Sequence, residues 1–438
     1  MRITHFAVYG LFGIFDHDVA LRLDDRVTII HGPNGYGKTS LLRLVDSLCR
    51  ASLQEVGRIP FQTFVMTFDD GRRLEVERSS ERGKAATSCR LRLMSGNHIL
   101  ASVDTPTGDV TSIEMQAIRR NYPFMHQINE DFWEDVNDGE IIPTELMRSR
   151  FNLPPPRREK IEWFSNLVEP LNVKLIETSR LTKQSPAESR RRRPDAGEWS
   201  PSLAVQKYAR DLSVRIKTTL ANYAERSQRL DQSFPIRLLE LNQFPMDSMS
   251  SELISERIKN LELKRTRLRD AGLLEQDEKQ GRIPTNIDDS VQGVLSMYIK
   301  DVEEKLTGFN EILAKIELLQ QILSAHFTFK HLKVSKEDGF AVYTDGGELL
   351  DVSRLSSGEQ HLIVLVYELL FTDRPDSLIL IDEPEISLHV EWQLAFLSDL
   401  QQIAKVASHD VILATHSPQI VNDRLDLLVP FNNPPVRA

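Results

Sequence analysis

Residues 32–40 read Gly32-Pro33-Asn34-Gly35-Tyr36-Gly37-Lys38-Thr39-Ser40. They follow the apolar run Val27-Thr28-Ile29-Ile30 and open into a stretch with Leu41, Leu44, Val45, Leu48 and Cys49 on one helical face. The pattern predicts a strand, a glycine-rich loop and a helix, the order needed to cradle phosphate. Glycines at 32, 35 and 37 let the backbone approach phosphate oxygens that a side chain would block. N–H groups at the start of the helix then face the anion. In such a loop Lys38 reaches the β- and γ-phosphates and the Thr39 hydroxyl ligates Mg²⁺. The bland alternative is a solvent-exposed glycine turn, and the strand before and helix after argue against it. The stretch from Gly32 to Ser40 is therefore a candidate site for a nucleoside triphosphate such as ATP.

The other end of the chain narrows this. Leu355-Ser356-Ser357-Gly358-Glu359-Gln360 precedes a densely apolar helical pattern through Leu362, Ile363, Leu365, Val366, Leu369 and Leu370. Next come Leu378-Ile379-Leu380-Ile381-Asp382-Glu383-Pro384, then Ser387-Leu388-His389. A further apolar run, Val411-Ile412-Leu413-Ala414, ends in Thr415-His416-Ser417-Pro418. Five motifs in this order resemble the ABC-type ATPases. Their wording resembles in particular the SMC-like and recombination-repair branch, which includes the OLD (overcoming-lysogenization-defect) family. The resemblance covers about the first 75 and the last 110 residues well and the middle loosely.

The resemblance implies roles residue by residue. Asp382 would hold Mg²⁺ together with Thr39, and Glu383 would orient or deprotonate the attacking water. His416 would contact the γ-phosphate and sense its loss, against the ordinary reading of a lone histidine as structural. Three parallel strands ending at these motifs would bring them to one nucleotide, as open α/β sheets do at their carboxyl ends. Ser356, Ser357, Gly358 and Glu359 would not serve their own chain's nucleotide. In ABC-type ATPases this loop reaches the γ-phosphate held by a second head, so ATP would join two heads and hydrolysis release them. Glu359 stands where transporters usually carry glutamine, which favours the SMC-like branch. Ser387-Leu388-His389 would lie at the same seam. The glutamine that links nucleotide to arm in relatives has two candidates, Gln62 and Gln127.

Composition fits an expected cytoplasmic protein. No apolar run reaches the roughly 18 to 20 residues that span a bilayer, and residues 1–7 do not read as a signal peptide. Two cysteines, Cys49 and Cys89, form neither a disulfide framework nor metal-ligand spacing. The net charge of −10 argues mildly against a constitutive nucleic-acid binder. The run Arg190-Arg191-Arg192-Arg193 sits in a polar stretch that reads as a solvated loop, with phosphate-backbone contact as the alternative. Lys259, Lys264, Arg265, Arg267 and Arg269 alternate with Glu262 and read as the exposed face of a helix.

The expected fold is α/β: an ABC-type head with a parallel core sheet and an antiparallel β-subdomain, split by a helical, short coiled-coil-like insertion. Residues 1–180 would form the first part of the head. Phe64, Met66 and Phe68, the Asp70-Gly71 turn, Leu74 and Val76, then Leu91 and Leu93, predict antiparallel pairing. Residues 112–167 read as mostly helical, and Val173-Lys174-Leu175-Ile176-Glu177 as a strand returning to the core sheet. Residues 181–327 would carry the arginine-rich loop and the arm, with helices over 203–230, 251–269 and 287–327. In the last, Ile299, Val302, Leu306, Phe309, Leu313 and Ile316 recur at spacings of three and four, a helix-pairing seam interrupted by Gly308. Residues 328–438 would complete the head, starting with a hairpin through Phe340, Val342 and Tyr343 and the turn Asp345-Gly346-Gly347.

The output of such an engine is less legible. OLD-family nucleases append a Toprim domain after the head, whereas about twenty residues follow His416 here, too few for a domain. Stand-alone heads of this kind resemble the ATPase subunits of two-component anti-phage systems such as Septu and PARIS. The expectation is thus a homo-oligomeric ATPase, its heads dimerising around ATP, that controls a separate effector, a nuclease. The rivals are a DNA-tethering repair ATPase, which leaves nucleic acid open as a partner, and a transporter head, whose docking surface the insertion would obstruct.

Overall fold

The computed structural model describes residues 1–79, 88–106, 125–127, 132–135, 141–143, 161–177, 201–243, 249–275, 289–371, 374, 376–386 and 388–431. At its centre lies a five-stranded parallel sheet. Its strands are β3 (Val27–His31), β11 (Val173–Glu177), β15 (Leu378–Asp382), β16 (Asp410–Thr415) and β17 (Leu428–Pro430), in the order β11-β15-β16-β3-β17. The three central strands, β15, β16 and β3, are short, apolar and buried on both faces, as inner parallel strands must be. Alternate side chains feed two cores. Ile29, Ile379, Ile381, Val411 and Leu413 point to one, and Ile30, Leu378, Leu380, Ile412 and Ala414 to the other. The 173–177 segment pairs in parallel with β15, Ile176 opposite Ile381, so it joins the head sheet as its sequence foretold.

On the second core packs helix α1 (Lys38–Cys49), whose Leu41, Leu42, Leu44, Val45 and Leu48 are buried. Beside it stands a six-stranded sheet of β1 (Ile3–Leu11), β2 (Phe15–Ala20), β4 (Thr63–Phe68), β5 (Arg72–Ser79), β6 (Ser88–Ser95) and β7 (His98–Pro106), ordered β2-β1-β4-β5-β6-β7. The pairs Phe64–Val76, Met66–Leu74, Leu74–Leu93 and Val76–Leu91 are the antiparallel register that the alternation predicted. Cys49 and Cys89 are buried and unbonded to each other.

Residues 112–167 depart from the helical expectation. The described part contains a three-stranded antiparallel sheet of β8 (Met125–Gln127), β9 (Phe132–Asp135) and β10 (Ile141–Pro143) before the short helix Glu162–Val168. Short aromatic and β-branched runs, Phe132-Trp133 and Ile141-Ile142, separated by the turn-forming Asn137-Asp138-Gly139, carry strand chemistry that helical periodicity masked.

The insertion differs in its helix lengths. Helix α4 (Pro201–Gln243) runs for 43 residues through Pro235, well beyond the expected 230. Helix α5 (Ser251–Asp270) matches. Residues 287–327 are not one helix but two, α6 (Asp289–Thr307) and α7 (Asn310–His326), parted at Gly308-Phe309. The seam residues Ile299, Val302, Leu306, Phe309, Leu313 and Ile316 are all buried, but they face the body of the molecule: α6 packs on α4 and α5. Helix α7 packs on α8 (Ser357–Leu370) and α9 (Val390–Ala407). The hairpin β12 (Lys330–Ser335) and β13 (Gly339–Thr344) follows, with β14 (Leu349–Leu350) beyond the 345–347 turn. The α/β class, with parallel core, antiparallel subdomain and long helical insertion, is as expected. Among the described residues no helix is long and apolar enough to cross a membrane.

Candidate nucleotide site

The sheet order β15-β16-β3 sets three strand ends side by side, with Asp382 paired to Ala414 and Thr415 to His31. The 32–40 loop leaves β3 and re-enters as α1. Gly37, at φ 85°, is the N-cap of α1, and a Cβ there would come within 2.6 Å of Leu11 Cδ2. Gly32 is needed for a different reason: a Cβ would sit 2.8 Å from Phe431 Cβ and 2.9 Å from the Phe431 carbonyl oxygen. Pro33, Asn34 and Gly35 are exposed, while Tyr36, Thr39 and Ser40 are half-buried. Beneath the loop the buried His17 ring stacks on Phe431 at 3.7 Å and donates from Nε2 to the Tyr36 carbonyl at 2.8 Å. Burial holds the His17 pKa below its ordinary value, partly offset by that hydrogen bond, so the ring buttresses the loop as a neutral group.

Lys38 is 4% exposed. Its Nζ donates to the carbonyls of Gly32 at 2.6 Å and Pro33 at 3.0 Å. Burial lowers its pKa, while the carboxylates of Glu383, Asp382 and Glu385 oppose that fall. The Thr39 hydroxyl donates to Asp382 Oδ1 at 3.1 Å, joining residues 343 apart in sequence. An alcohol and a carboxylate side by side are hard oxygen ligands that suit Mg²⁺, which usually takes one or two protein oxygens and completes its shell with phosphate and water. Among the described residues no cluster of three or more His, Cys, Asp or Glu could hold a metal. A magnesium ion would fit here as the companion of a phosphate ligand.

Glu383 has φ 48°, a left-handed conformation that costs a non-glycine residue about 1–2 kcal/mol. Its N–H donates to the Ala414 carbonyl at 2.9 Å, pinning it to the end of β16. His416 Nδ1 lies 3.6 Å from Glu383 Oε1 and 3.0 Å from Glu385 Oε1. Lys38, Thr39, Asp382, Glu383 and His416 therefore gather at one edge of the sheet.

Ser356, Ser357, Gly358 and Glu359 form a separate group at the start of α8. Ser356 caps the helix, accepting from the Glu359 N–H at 3.2 Å, while Glu359 Oε2 accepts from the Ser356 N–H at 2.8 Å and its hydroxyl at 3.0 Å. The serines are exposed and Glu359 is buried, gripped by Lys330 Nζ at 2.8 and 3.0 Å. Gly358 lies against the Trp392 ring. Leu388 is buried and His389 exposed at the N-cap of α9; Ser387 lies outside the described residues. Of the two glutamine candidates, Gln62 packs over Gly10, and the Gln127 side chain lies outside the described residues.

Glu385 and Gln393 escaped the sequence reading. Glu385 has a 7% exposed side chain whose Oε1 also accepts from Thr415 Oγ1, the His416 N–H and the Ser417 N–H. Gln393 donates to the Glu385 and Leu388 carbonyls and accepts from Ser417 Oγ. The only signal was a second acid two residues after Glu383, which no motif role claimed. The arginine run 190–193 lies outside the described residues. Of the second basic cluster, Arg267 is engaged by Glu317 across to α7, at 2.6 Å.

Residues 198–421 match a family model described as AAA ATPase domain, a span that holds the 355–360 loop, Asp382, Glu383 and His416 and begins after the 32–40 loop. No curated protein matches the sequence. Solved structures similar to this chain include the Smc head domain of Pyrococcus furiosus, with an extended coiled coil and bound to the C-terminal domain of ScpA. It is 12% identical, with 98% of this chain and 93% of that chain covered and a TM-score of 0.36. The SMC head domain of Thermotoga maritima is 11% identical, with 98% and 94% covered and a TM-score of 0.34. With half of its length matched by that model, the chain belongs to the AAA ATPase domain family.

Proposed function

We propose that this chain is an ATP-hydrolysing switch of the SMC-like ABC type, whose heads close in pairs around ATP and govern a separate effector. The observation that carries the reading is the Thr39–Asp382 contact, with buried Lys38 on one side and Glu383 and His416 on the other. In this reading Lys38 and the loop amides of residues 32–40 hold the phosphates, and Thr39 and Asp382 hold Mg²⁺, which would offset charge on the phosphate oxygens. Glu383 takes the proton of the attacking water, and His416 marks the presence of the γ-phosphate. Exposed Ser356 and Ser357, at a helix N-terminus, serve the nucleotide of a second head.

The effector we propose is a nuclease on another polypeptide, in a bacterial anti-phage system of the Septu or PARIS kind. What supports the link from engine to partner is the contact between arm and signature helix: Tyr367 of α8 donates to Asp211 of α4 at 2.6 Å, and Tyr208 bonds Glu368. The test uses Glu383→Gln protein with Mg²⁺-ATP. Light scattering should show doubling of mass with ATP and not with ADP, and the product of a neighbouring gene should co-purify with the full chain. No ATP-dependent doubling would remove the paired heads, and metal-dependent cleavage of DNA by this chain alone would remove the separate effector.

A further inference from the structure

We propose that Glu385 is a positioning residue for ATP hydrolysis, committing one ring nitrogen of His416 to the protein and leaving the other for the nucleotide. The inference rests on the ATPase reading and adds to it a residue with no assigned role. Glu385 follows the Walker-type acids but belongs by its contacts to the 415–417 loop. Its Oε1 accepts at 2.6 Å from Thr415 Oγ1, 2.9 Å from the His416 N–H and 3.2 Å from the Ser417 N–H, and His416 Nδ1 lies 3.0 Å from the same oxygen.

The chemistry of the pair limits what the contact can be. An ionised carboxylate carries no hydrogen, so at 3.0 Å it accommodates a protonated Nδ1 and repels a lone pair there. In neutral imidazole that leaves Nε2 with the lone pair, and in imidazolium it leaves Nε2–H as a donor. Either way the ring has one assigned face. The second oxygen, Oε2, is buried and has no hydrogen-bond partner among the described residues. Burying a carboxylate by one oxygen is costly, and three donors on the other, with the His416 ring beside them, offset that cost. Gln393 closes the frame, since it holds the Glu385 carbonyl at 3.2 Å and the Ser417 hydroxyl at 3.1 Å. The acid turn after β15 and the histidine loop after β16 are thereby one hydrogen-bonded unit. Displacing His416 would pull on the Glu383–Ile386 turn.

A loop brace alone would need only Thr415, the two amides and Gln393. The Nδ1 contact is what the proposal adds, so the experiment isolates it. Full-length protein carrying ¹⁵N-labelled histidine gives the protonation of each His416 nitrogen, assigned by its disappearance in His416→Ala. Wild type should show Nδ1 protonated, and Glu385→Ala should move the proton population toward Nε2. In steady state Glu385→Ala should lower kcat by about tenfold or more with KM for ATP within about threefold. Glu385→Gln, which keeps an oxygen at the Oε1 position, should recover part of that loss. Adding Glu385→Ala to His416→Ala should cost no more than about twofold beyond His416→Ala alone. An unchanged His416 tautomer in Glu385→Ala, or losses that multiply in the double variant, would overturn the proposal and leave Glu385 a loop brace. Absence of hydrolysis in wild type would strike the ATPase reading instead, and the nitrogen spectrum would still decide the Glu385–His416 relation.

Discussion

Lys330 Nζ grips both oxygens of Glu359, at 2.8 and 3.0 Å, and so ties the first strand after the arm to the loop that caps α8. Burial alone would raise the Glu359 carboxyl pKa, but hydrogen bonds from Lys330 and Ser356 outweigh it and hold the group below the ordinary glutamate value of 4.5. A carboxylate lowered on folding stabilises fully above its unfolded pKa, and that contribution fades as pH falls through the folded value. Lys330→Met should destabilise the protein by about 1–3 kcal/mol at pH 7, because Glu359 keeps its charge in a half-closed site. The gap between variant and wild type should shrink below pH 4.5 as the carboxylate takes up protons. Chemical denaturation at pH 7 and pH 4 measures both; a pH-independent gap would count against the ion pair.

Lys38→Ala should abolish ATP binding, since it removes the cation beneath the phosphate loop. Glu383→Gln should bind ATP as wild type does and lose hydrolysis by at least about 100-fold, the range of a lost general base. Calorimetry and phosphate release separate the two effects. Near wild-type turnover in Glu383→Gln would take Glu383 out of catalysis.

Ser356→Arg places a long cation where the reading seats a partner's γ-phosphate. It should bind ATP within about threefold of wild type while losing hydrolysis. Mixed with Lys38→Ala protein, it should regain activity at one hybrid site per pair. Full activity of a strictly monomeric Ser356→Arg protein would end the paired-head reading.

Gly339, at φ 73°, admits no side chain: a Cβ would overlap the Ala209 carbonyl oxygen on α4. Gly339→Ala should therefore destabilise by about 2–4 kcal/mol, combining left-handed strain with a backbone clash. Thermal unfolding checks this, and a loss under about 0.5 kcal/mol would mean the helix can shift away freely.

Much of this molecule could be read beforehand where period and chemistry agreed. The runs 27–30, 378–381 and 411–414 are apolar, short and followed by polar motifs, so strand and direction were legible together. The residues 125–143 misled because two-residue apolar runs carry too few periods to separate helix from strand. Helix α4 outruns its expected end at 230 and passes through Pro235, since a long helix tolerates the loss of one bond when its other turns are held. Glu385 stayed hidden for a different reason. Its partners Thr415, His416 and Ser417 lie thirty residues on and meet it only because β15 and β16 are neighbours.

Helix α4 has its root clamped, at Tyr208, Ala209 and Asp211, against the signature helix and the β12–β13 hairpin, while its far end carries Ile236 and Leu239, 62% and 67% exposed. Its 43 residues span about 65 Å at the α-helical rise. The rod is not free beyond that root, for Arg229, Asp231 and Arg237 pair with Glu304, Lys305 and Asp301 of α6 along its far half. The two helices form one braced pair, so a tilt of α8 acting at the root has to carry both. Stiffness then belongs to the pair: Arg237→Ala with Lys305→Ala would loosen the tip while leaving the root contacts in place.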